Sequence, residues 1–129
     1  MAPYVSQDHI TALRQCEGVL SIVDAEMQVF GLNHAEVGAV VAQRWALPEA
    51  IVRAVQYHHT PTMQSEPLGH ALNLANQLAW RFMDQNDEYD RESGPRVASL
   101  EALGLSVETL ESTFERGCEH FEVTLQLYS

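Results

Sequence analysis

The stretch that decides the fold runs from residue 31 to residue 59 and reads GLNHAEVGAVVAQRWALPEAIVRAVQYHH. It predicts two short helices joined at a proline. Asn33, followed three residues later by Glu36, is typical of a capping box, which satisfies free amides at a helix N-terminus. Pro48 suits the first turn of the second helix, where a missing N–H costs nothing. The stretch therefore predicts a helical hairpin with histidines at both ends: His34, His58 and His59.

Apolar residues in this stretch recur at the spacing of one helix face. Val37, Val41 and Trp45 follow one another at intervals of four residues, so they share one side of the first helix. The second helix has its own apolar stripe in Ile51, Val52 and Val55. We expect both stripes to face the interior. With residues from later helices, the predicted core comprises Val41, Trp45, Val55, Leu72, Ala75 and Phe121.

The order of these short motifs resembles the HDOD family, the HD-related output domains of bacterial signalling proteins. The motifs are Phe30-Gly31, His34-Ala35 with Gly38-Ala39, the turn Trp45-Ala46-Leu47-Pro48, and the pair His58-His59. Their combination is specific, and the similarity extends loosely over residues 3–128. The resemblance implies an HD-domain-like fold and a role in signalling. It also suggests that the chain is the C-terminal portion of the family fold.

Flanking segments predict further helices. From Gln7 to Phe30 apolar positions step by threes and fours, which predicts one long amphipathic helix that Gly31 terminates. Another helix is expected from Leu68 to Met83. Its predicted buried side consists of Leu68, Ala71, Leu72, Ala75, Leu78, Ala79 and Phe82.

The C-terminal third predicts a loop and a last helix. Residues 84–96 are polar and acidic and contain Gly94-Pro95, which is typical of a loop, and residues 99–103 suffice for one helical turn. Ser106 is a good N-cap for the last helix. Its predicted stripe is Val107, Leu110, Phe114, Cys118, Phe121 and Leu125. Because no alternating strand pattern occurs, the sequence predicts a single all-α domain over residues 1–129, a compact bundle of about five helices.

Charge excludes several classes of partner. The 129 residues include 18 acids, seven arginines and no lysine, for a formal net charge of −11. Binding to nucleic acid through phosphates needs a basic face, and so does docking on an anionic membrane. No apolar run approaches the length of a membrane span, and no signal pattern opens the chain. We therefore expect a cytoplasmic protein with free thiols at Cys16 and Cys118.

The histidines carry the strongest hint of chemistry. The resemblance to HD phosphohydrolases implies metal ligands from a histidine, an adjacent His-Asp pair and a later aspartate. No His-Asp dipeptide occurs in these 129 residues, and Asn76 stands where the later aspartate is expected. Since adjacent helical residues point about 100° apart, His58 and His59 are not expected to face one ion. The prediction is a vestigial cluster without metal or cofactor, formed by His34, His58, His59 and Asn76; His9, His70 and His120 have no ligand-like partners.

Two functions remain open at this point. The resemblance implies a non-catalytic regulatory module that binds other proteins in a signalling pathway. The alternative is a degenerate metal-dependent phosphohydrolase, completed by a missing region or by a partner. If the helices that normally cover an HDOD core are missing, apolar surface is left uncovered, and such surface is usually hidden by association. We therefore also expect a homodimer, with exchange of the first helix.

Overall fold

The computed structural model describes residues 6–16, 20–62, 65–84 and 86–128. These residues form helices and connecting turns, with no strand among them, as the sequence predicts. The expected number of about five helices is wrong, because the described part of the chain contains eight. They are α1 (Gln7–Cys16), α2 (Ile22–Phe30), α3 (His34–Arg44), α4 (Glu49–Tyr57), α5 (Pro67–Phe82), α6 (Asn86–Arg91), α7 (Ser93–Leu103) and α8 (Val107–Tyr128).

The predicted long first helix is divided into α1 and α2. Ser21 is the N-cap of α2, and its hydroxyl accepts a 3.2 Å hydrogen bond from the Asp24 N–H. A new cap inside the apolar pattern ends one helix and begins another, which periodicity alone does not reveal. Gly18, a residue that weakens the predicted long helix, lies outside the described residues. The predicted end is confirmed, since Gly31 adopts a left-handed φ of 75° and donates to the Met27 carbonyl.

Helices α3 and α4 pack closely against each other. The Asn33 cap is confirmed, because its side chain accepts a 3.0 Å hydrogen bond from the Glu36 N–H. A Cβ placed on Gly38 would come within 2.9 Å of Cγ1 of Val55 on α4. Such an approach requires small side chains on the buried face of α3. That face consists of Ala35, Ala39 and Ala42.

The valine side of α3 consequently faces outward. Val37, Val40 and Val41 are exposed, and Trp45, which follows α3, is 74% exposed. The prediction that Val41 and Trp45 belong to the core is therefore wrong. The helix buries its alanines instead, because only they allow the close contact with α4.

Helix α5 also buries a different face from the one predicted. Leu68 and Ala75 are exposed, as are Ala71, Ala79 and Phe82. The side chains that α5 buries are mostly polar or large: His70, Asn73, Leu74, Gln77 and Trp80. The spacing of apolar residues did not predict the buried face of α5, because its polar residues form hydrogen bonds with the end of α4 and with α7.

The acidic stretch predicted to be a loop contains α6 and the beginning of α7. Asp87 and Glu88 lie in the first turn of α6 and Arg91 in its last turn, where these charges complement the helix dipole. Pro95 falls in the first turn of α7, where proline costs little. The loop prediction for residues 84–96 is therefore wrong. Residue Glu92, between the two helices, is buried.

A small apolar cluster joins α5, α7 and α8. It consists of buried Leu74, Leu100 and Leu110, with Leu78 and Leu103 packed against them. Ser106 caps α8 as predicted, accepting from the Thr109 N–H at 3.1 Å. The second half of α8 is exposed, including Leu125 and Phe121, although the Phe121 ring lies edge-on to Phe82 at 4.8 Å. The prediction that Phe121 is a core residue is therefore wrong.

Two further sequence expectations bear on the surroundings of the protein. Cys16 and Cys118 are free thiols, as expected, and both are half-buried. None of the described helices is both long enough and apolar enough to cross a membrane.

Candidate functional site

Three histidines meet where α3 begins and α4 ends. His34 is the first residue of α3, and His58 and His59 directly follow the last residue of α4. Each ring offers one nitrogen to a common group in which these atoms all lie within 4.8 Å of one another. We call this group the histidine cluster. Residues 25 positions apart in sequence thus meet because α3 and α4 form a tight hairpin.

The expectation that His58 and His59 face apart is wrong. It assumed helical geometry for both residues, but α4 ends at Tyr57 and His58 is its C-cap. His59 lies in the turn that follows. Their ring centroids are consequently only 4.1 Å apart. His58 itself keeps right-handed helical backbone angles of φ −67° and ψ −16°, so the turn at His59 and the orientation of the side chains bring the rings together.

Each Nδ1 atom in the histidine cluster faces an oxygen. Nδ1 of His34 lies 2.8 Å from Oε2 of Glu26, and Nδ1 of His58 lies 2.6 Å from the Val55 carbonyl oxygen. Nδ1 of His59 faces Oε1 of Glu92 at 3.7 Å. Since a carbonyl or ionised carboxylate only accepts, Nδ1 of His34 and of His58 carries the proton. In the neutral tautomers their Nε2 atoms are then bare lone pairs.

Glu26 does more than orient a ring. The same carboxylate oxygen that accepts from the His34 ring also accepts from the His34 backbone N–H at 2.9 Å. A carboxylate at a helix N-terminus is favoured by the helix dipole. Glu26 therefore fixes both the start of α3 and the direction of the His34 imidazole.

The centre of the histidine cluster is buried. His58 and His59 are 7% and 5% exposed, and the indole of Trp80 stacks on the His59 ring at a centroid distance of 5.6 Å. Burial lowers the pKa of His58 below its usual 6.5, although the hydrogen bond to Val55 opposes this; the neighbouring imidazoles lower it further. His34 remains open to solvent, with 43% of its side chain exposed. Solvent thus reaches the cluster from the His34 side.

A buried polar network supports the cluster from α5. The Asn73 side chain donates a 2.6 Å hydrogen bond to the His58 carbonyl oxygen. Its own oxygen accepts from Gln77 at 3.0 Å and from the Ser99 hydroxyl at 3.1 Å. The Arg96 guanidinium donates to Gln77 at 3.0 Å, which connects the network to α7. The hydrogen bonds of this network run in one direction, from Arg96 through Gln77 and Asn73 to the His58 carbonyl. In such an arrangement each bond polarises the next.

The sequence named part of this site correctly and missed the rest. The structure brings His34, His58 and His59 together, while Asn76 is half-buried on α5. Of the remaining histidines, His70 is fully buried against Ser99, and His9 and His120 are exposed. Sequence reasoning missed Glu26, Asn73 and Glu92. None of the three has a local signal, because each acts on a residue that tertiary packing brings to it.

The second notable surface is the outer side of α3. Val37, Val40, Val41 and Trp45 are exposed there, and we call them the α3 apolar face.

A cleft between α4 and α5 is lined in part by Tyr57, Thr60 and Gly69, but none of its lining residues belongs to the histidine cluster. Its arginine, Arg53, is already paired with Glu49 and Glu66.

Comparison with known proteins supports the resemblance noted in the sequence. Residues 2–61 match the HDOD domain, and this segment includes all three histidines of the cluster. Over 92 residues the chain is 36% identical to an uncharacterized protein of Treponema pallidum (strain Nichols). That alignment covers 65% of this chain and only 18% of the relative. No solved structure matches the chain.

Proposed function

We propose that this chain is a non-catalytic module of a bacterial signalling pathway that acts in the cytoplasm by binding another protein. The HDOD match supports the first part, since that family is associated with signalling. The observation that carries the second part is the α3 apolar face, where Trp45 is 74% exposed. Exposed aromatic and aliphatic residues grouped on one helix are typical of protein-binding surfaces.

Charge favours a particular kind of partner for this face. The chain carries a formal net charge of −11, and Glu36 and Glu49 are exposed close in sequence to the two ends of α3. A partner with an apolar centre and a basic rim gains from both features. Rim attraction of this kind mainly accelerates association and weakens as salt is added.

Site-specific photo-crosslinking in the native bacterium tests this proposal. A photoreactive residue at Val40 should give a defined crosslinked protein, and the same residue at the exposed Val97 of α7 serves as the control position. Trp45→Ala should remove the product obtained from Val40, because it takes away the largest exposed side chain of the face. Equal crosslinking at both positions, or a product that survives Trp45→Ala, would contradict the proposal.

The alternative function, a degenerate phosphohydrolase, has one observation in its favour, the histidine cluster. Its carboxylates argue against it. Glu26 and Glu92 lie behind the Nδ1 atoms and do not join the Nε2 atoms. An HD-type centre relies on carboxylate ligands to hold hard ions such as Mg²⁺. Two of the three imidazoles are also buried, which leaves little room for a phosphoester.

We accordingly expect no hydrolysis of nucleotides or cyclic dinucleotides in buffer with added Mg²⁺ or Mn²⁺. The assay compares the natural chain with His34→Ala and His58→Ala. Turnover that is present in the natural chain and lost in both variants would overturn the non-catalytic proposal. Asn76→Asp would then be the next variant, because it restores the carboxylate expected from the family resemblance.

Self-association is a separate proposal and concerns α8. The end of this helix, residues 123–128, reads VTLQLY and carries no charge, in a chain that is otherwise strongly acidic. Leu127 and Tyr128 are the most exposed apolar residues of the helix. This is the place where two copies approach with least repulsion. We propose a two-fold dimer through this segment. We no longer propose exchange of the first helix between the two copies, because α1 is a separate ten-residue helix with no buried residue.

A further inference from the structure

We propose that His34, His58 and His59 bind a single transition-metal ion of the Zn²⁺ class through their Nε2 atoms. The sequence-based expectation of no metal rested on the missing His-Asp pair, on the amide at Asn76 and on His58 and His59 facing apart, and the structure contradicts only the last of these. The proposed site differs from an HD-type centre, since it contains neither a His-Asp pair nor a carboxylate ligand. It is independent of the partner-binding function proposed above.

Neither neutral tautomer of His59 satisfies both of its ring nitrogens in this arrangement. Nε2 of His34 and Nε2 of His59 lie 2.8 Å apart. Because Glu26 holds the His34 proton on Nδ1, a hydrogen bond between the rings requires the proton of neutral His59 on Nε2. Nδ1 of His59 is then a bare lone pair that faces the Glu92 carboxylate. If the His59 proton sits on Nδ1 instead, two lone pairs face each other.

Two buried polar atoms at the cluster also have no hydrogen-bond partner. Nδ1 of His59 and Oε2 of Glu92 have no hydrogen-bond partner, although both residues are more than nine-tenths buried. Buried polar atoms without partners are rare and costly. A cation between the Nε2 atoms resolves the conflict, because His59 then keeps its proton on Nδ1, toward Glu92.

A metal ion fits this position better than an extra proton. A proton between two nitrogens satisfies only His34 and His59, whereas the cluster contains a third bare nitrogen on His58. An ion with three imidazole ligands and a solvent molecule is a common tetrahedral arrangement for Zn²⁺. Zinc–nitrogen bonds of about 2.0–2.1 Å place the ligand atoms about 3.3 Å apart. Small ring rotations achieve this, since Nε2 of His34 and Nε2 of His59 lie 2.8 Å apart and the three residues have ligand atoms within 4.8 Å of one another.

The groups behind the rings match the supporting shell of a metal site. Metal-bound histidines usually donate their other ring N–H to a carboxylate or a carbonyl. Here Glu26, the Val55 carbonyl and Glu92 stand behind the three rings. Imidazole ligands without carboxylates select Zn²⁺, Co²⁺ or Ni²⁺ over Mg²⁺ and Ca²⁺. Exposed His34 provides the entry path.

Such an ion would connect separate parts of the fold. His34 belongs to α3, His58 and His59 follow α4, and Glu92 lies between α6 and α7. An ion that binds only the folded chain stabilises it by mass action. The ion would therefore act as a structural clamp on the hairpin that carries the α3 apolar face.

Metal titration of the chain, purified without a histidine tag and stripped with chelator, tests the proposal. Co²⁺ should produce a tetrahedral visible absorption band that saturates at one ion per chain. In the Trp45→Phe background, the remaining indole is Trp80, which stacks on His59. Its fluorescence should be quenched by Co²⁺ with the same midpoint. Zn²⁺ in hundredfold excess over its Kd should raise Tm by at least about 5 °C.

Three variants distinguish this site from surface binding. His34→Ala should weaken Co²⁺ binding more than about 100-fold, and Glu26→Gln should weaken it about 10–100-fold while the glutamine oxygen still caps α3. His120→Ala, which removes an exposed histidine of α8, should leave binding unchanged. If circular dichroism shows that His34→Ala does not fold, the Co²⁺ affinity of Glu26→Gln still tests the proposal. Equal affinity in all variants, or no absorption band at millimolar Co²⁺, would overturn the proposal.

Discussion

Asn73 donates a 2.6 Å hydrogen bond to the backbone carbonyl of His58, across the contact between α5 and the end of α4. The donor is 1% exposed, so water does not replace this bond if it is lost. The bond fixes the turn that carries His58 and His59. A buried amide on α5, rather than an apolar contact, therefore sets the geometry of the histidine cluster.

Removing this amide should destabilise the fold markedly. Asn73→Ala leaves the His58 carbonyl and the Gln77 NH₂ group without partners, and each buried unsatisfied group costs about 1–3 kcal/mol. The Ser99 hydroxyl loses its acceptor but keeps its contact with His70. We expect a loss of at least about 2 kcal/mol in the free energy of unfolding, measured by urea denaturation. Asn76→Ala, three residues along the same helix and only half-buried, is the control and should cost less than about 1 kcal/mol. Equal losses would mean that the polar network contributes little.

The two tryptophans should behave in opposite ways. Trp80 is 5% exposed and Trp45 is 74% exposed. Trp80→Ala should therefore cost about 3–5 kcal/mol in the free energy of unfolding, the usual range for a buried aromatic ring. Trp45→Ala should cost less than about 1 kcal/mol. Thermal and urea unfolding of both variants measure this, and a large loss for Trp45→Ala would restore the core position that the sequence predicted.

Local signals in the sequence were good predictors of helix ends. Gly31, Asn33 and Ser106 occupy the caps expected of them, because capping depends on a few neighbouring residues. The helical class and the meeting of the three histidines also follow from the sequence. These features share one property: each is encoded within a short segment or in the family resemblance.

Helix faces were predicted less well, for a physical reason. On α3 the sequence offers an alanine face and a valine face, and the close contact of Gly38 with Val55 selects the alanines. On α5 the partners of Asn73 and Gln77 lie on α7, in or next to a stretch too polar to predict a helix. Which face is buried depends on distant elements, and hydrophobic periodicity contains no information about them.

Two glycines in helices should respond oppositely to alanine. A Cβ on Gly38 would approach Cγ1 of Val55 to 2.9 Å, whereas nothing lies within 4 Å of the corresponding position at Gly117. Gly117→Ala should stabilise the protein by about 0.5–1 kcal/mol through helix propensity. Gly38→Ala gains the same propensity but overpacks the α3–α4 contact, which costs about 1–3 kcal/mol. We expect a net loss for Gly38→Ala in urea unfolding.

The cause of that loss can be isolated with a double variant. Val55→Ala removes the methyl group that a Cβ at Gly38 would meet. In the Val55→Ala background, Gly38→Ala should therefore be neutral or stabilising. If Gly38→Ala costs the same in both backgrounds, the loss does not arise from this contact.

The dimer proposed through α8 should depend on salt in a characteristic way. Each chain carries a formal net charge of −11, so two copies repel, and added salt screens this repulsion. Light scattering should show stronger self-association at 0.5 M than at 0.05 M salt. Leu125→Glu, which places a charge in the uncharged end of α8, should be monomeric at both salt concentrations. Trp45→Ala, which changes the α3 apolar face instead, should associate as the natural chain does. A natural chain that stays monomeric at high salt would rule out the α8 dimer, and loss of association in Trp45→Ala would assign it to α3.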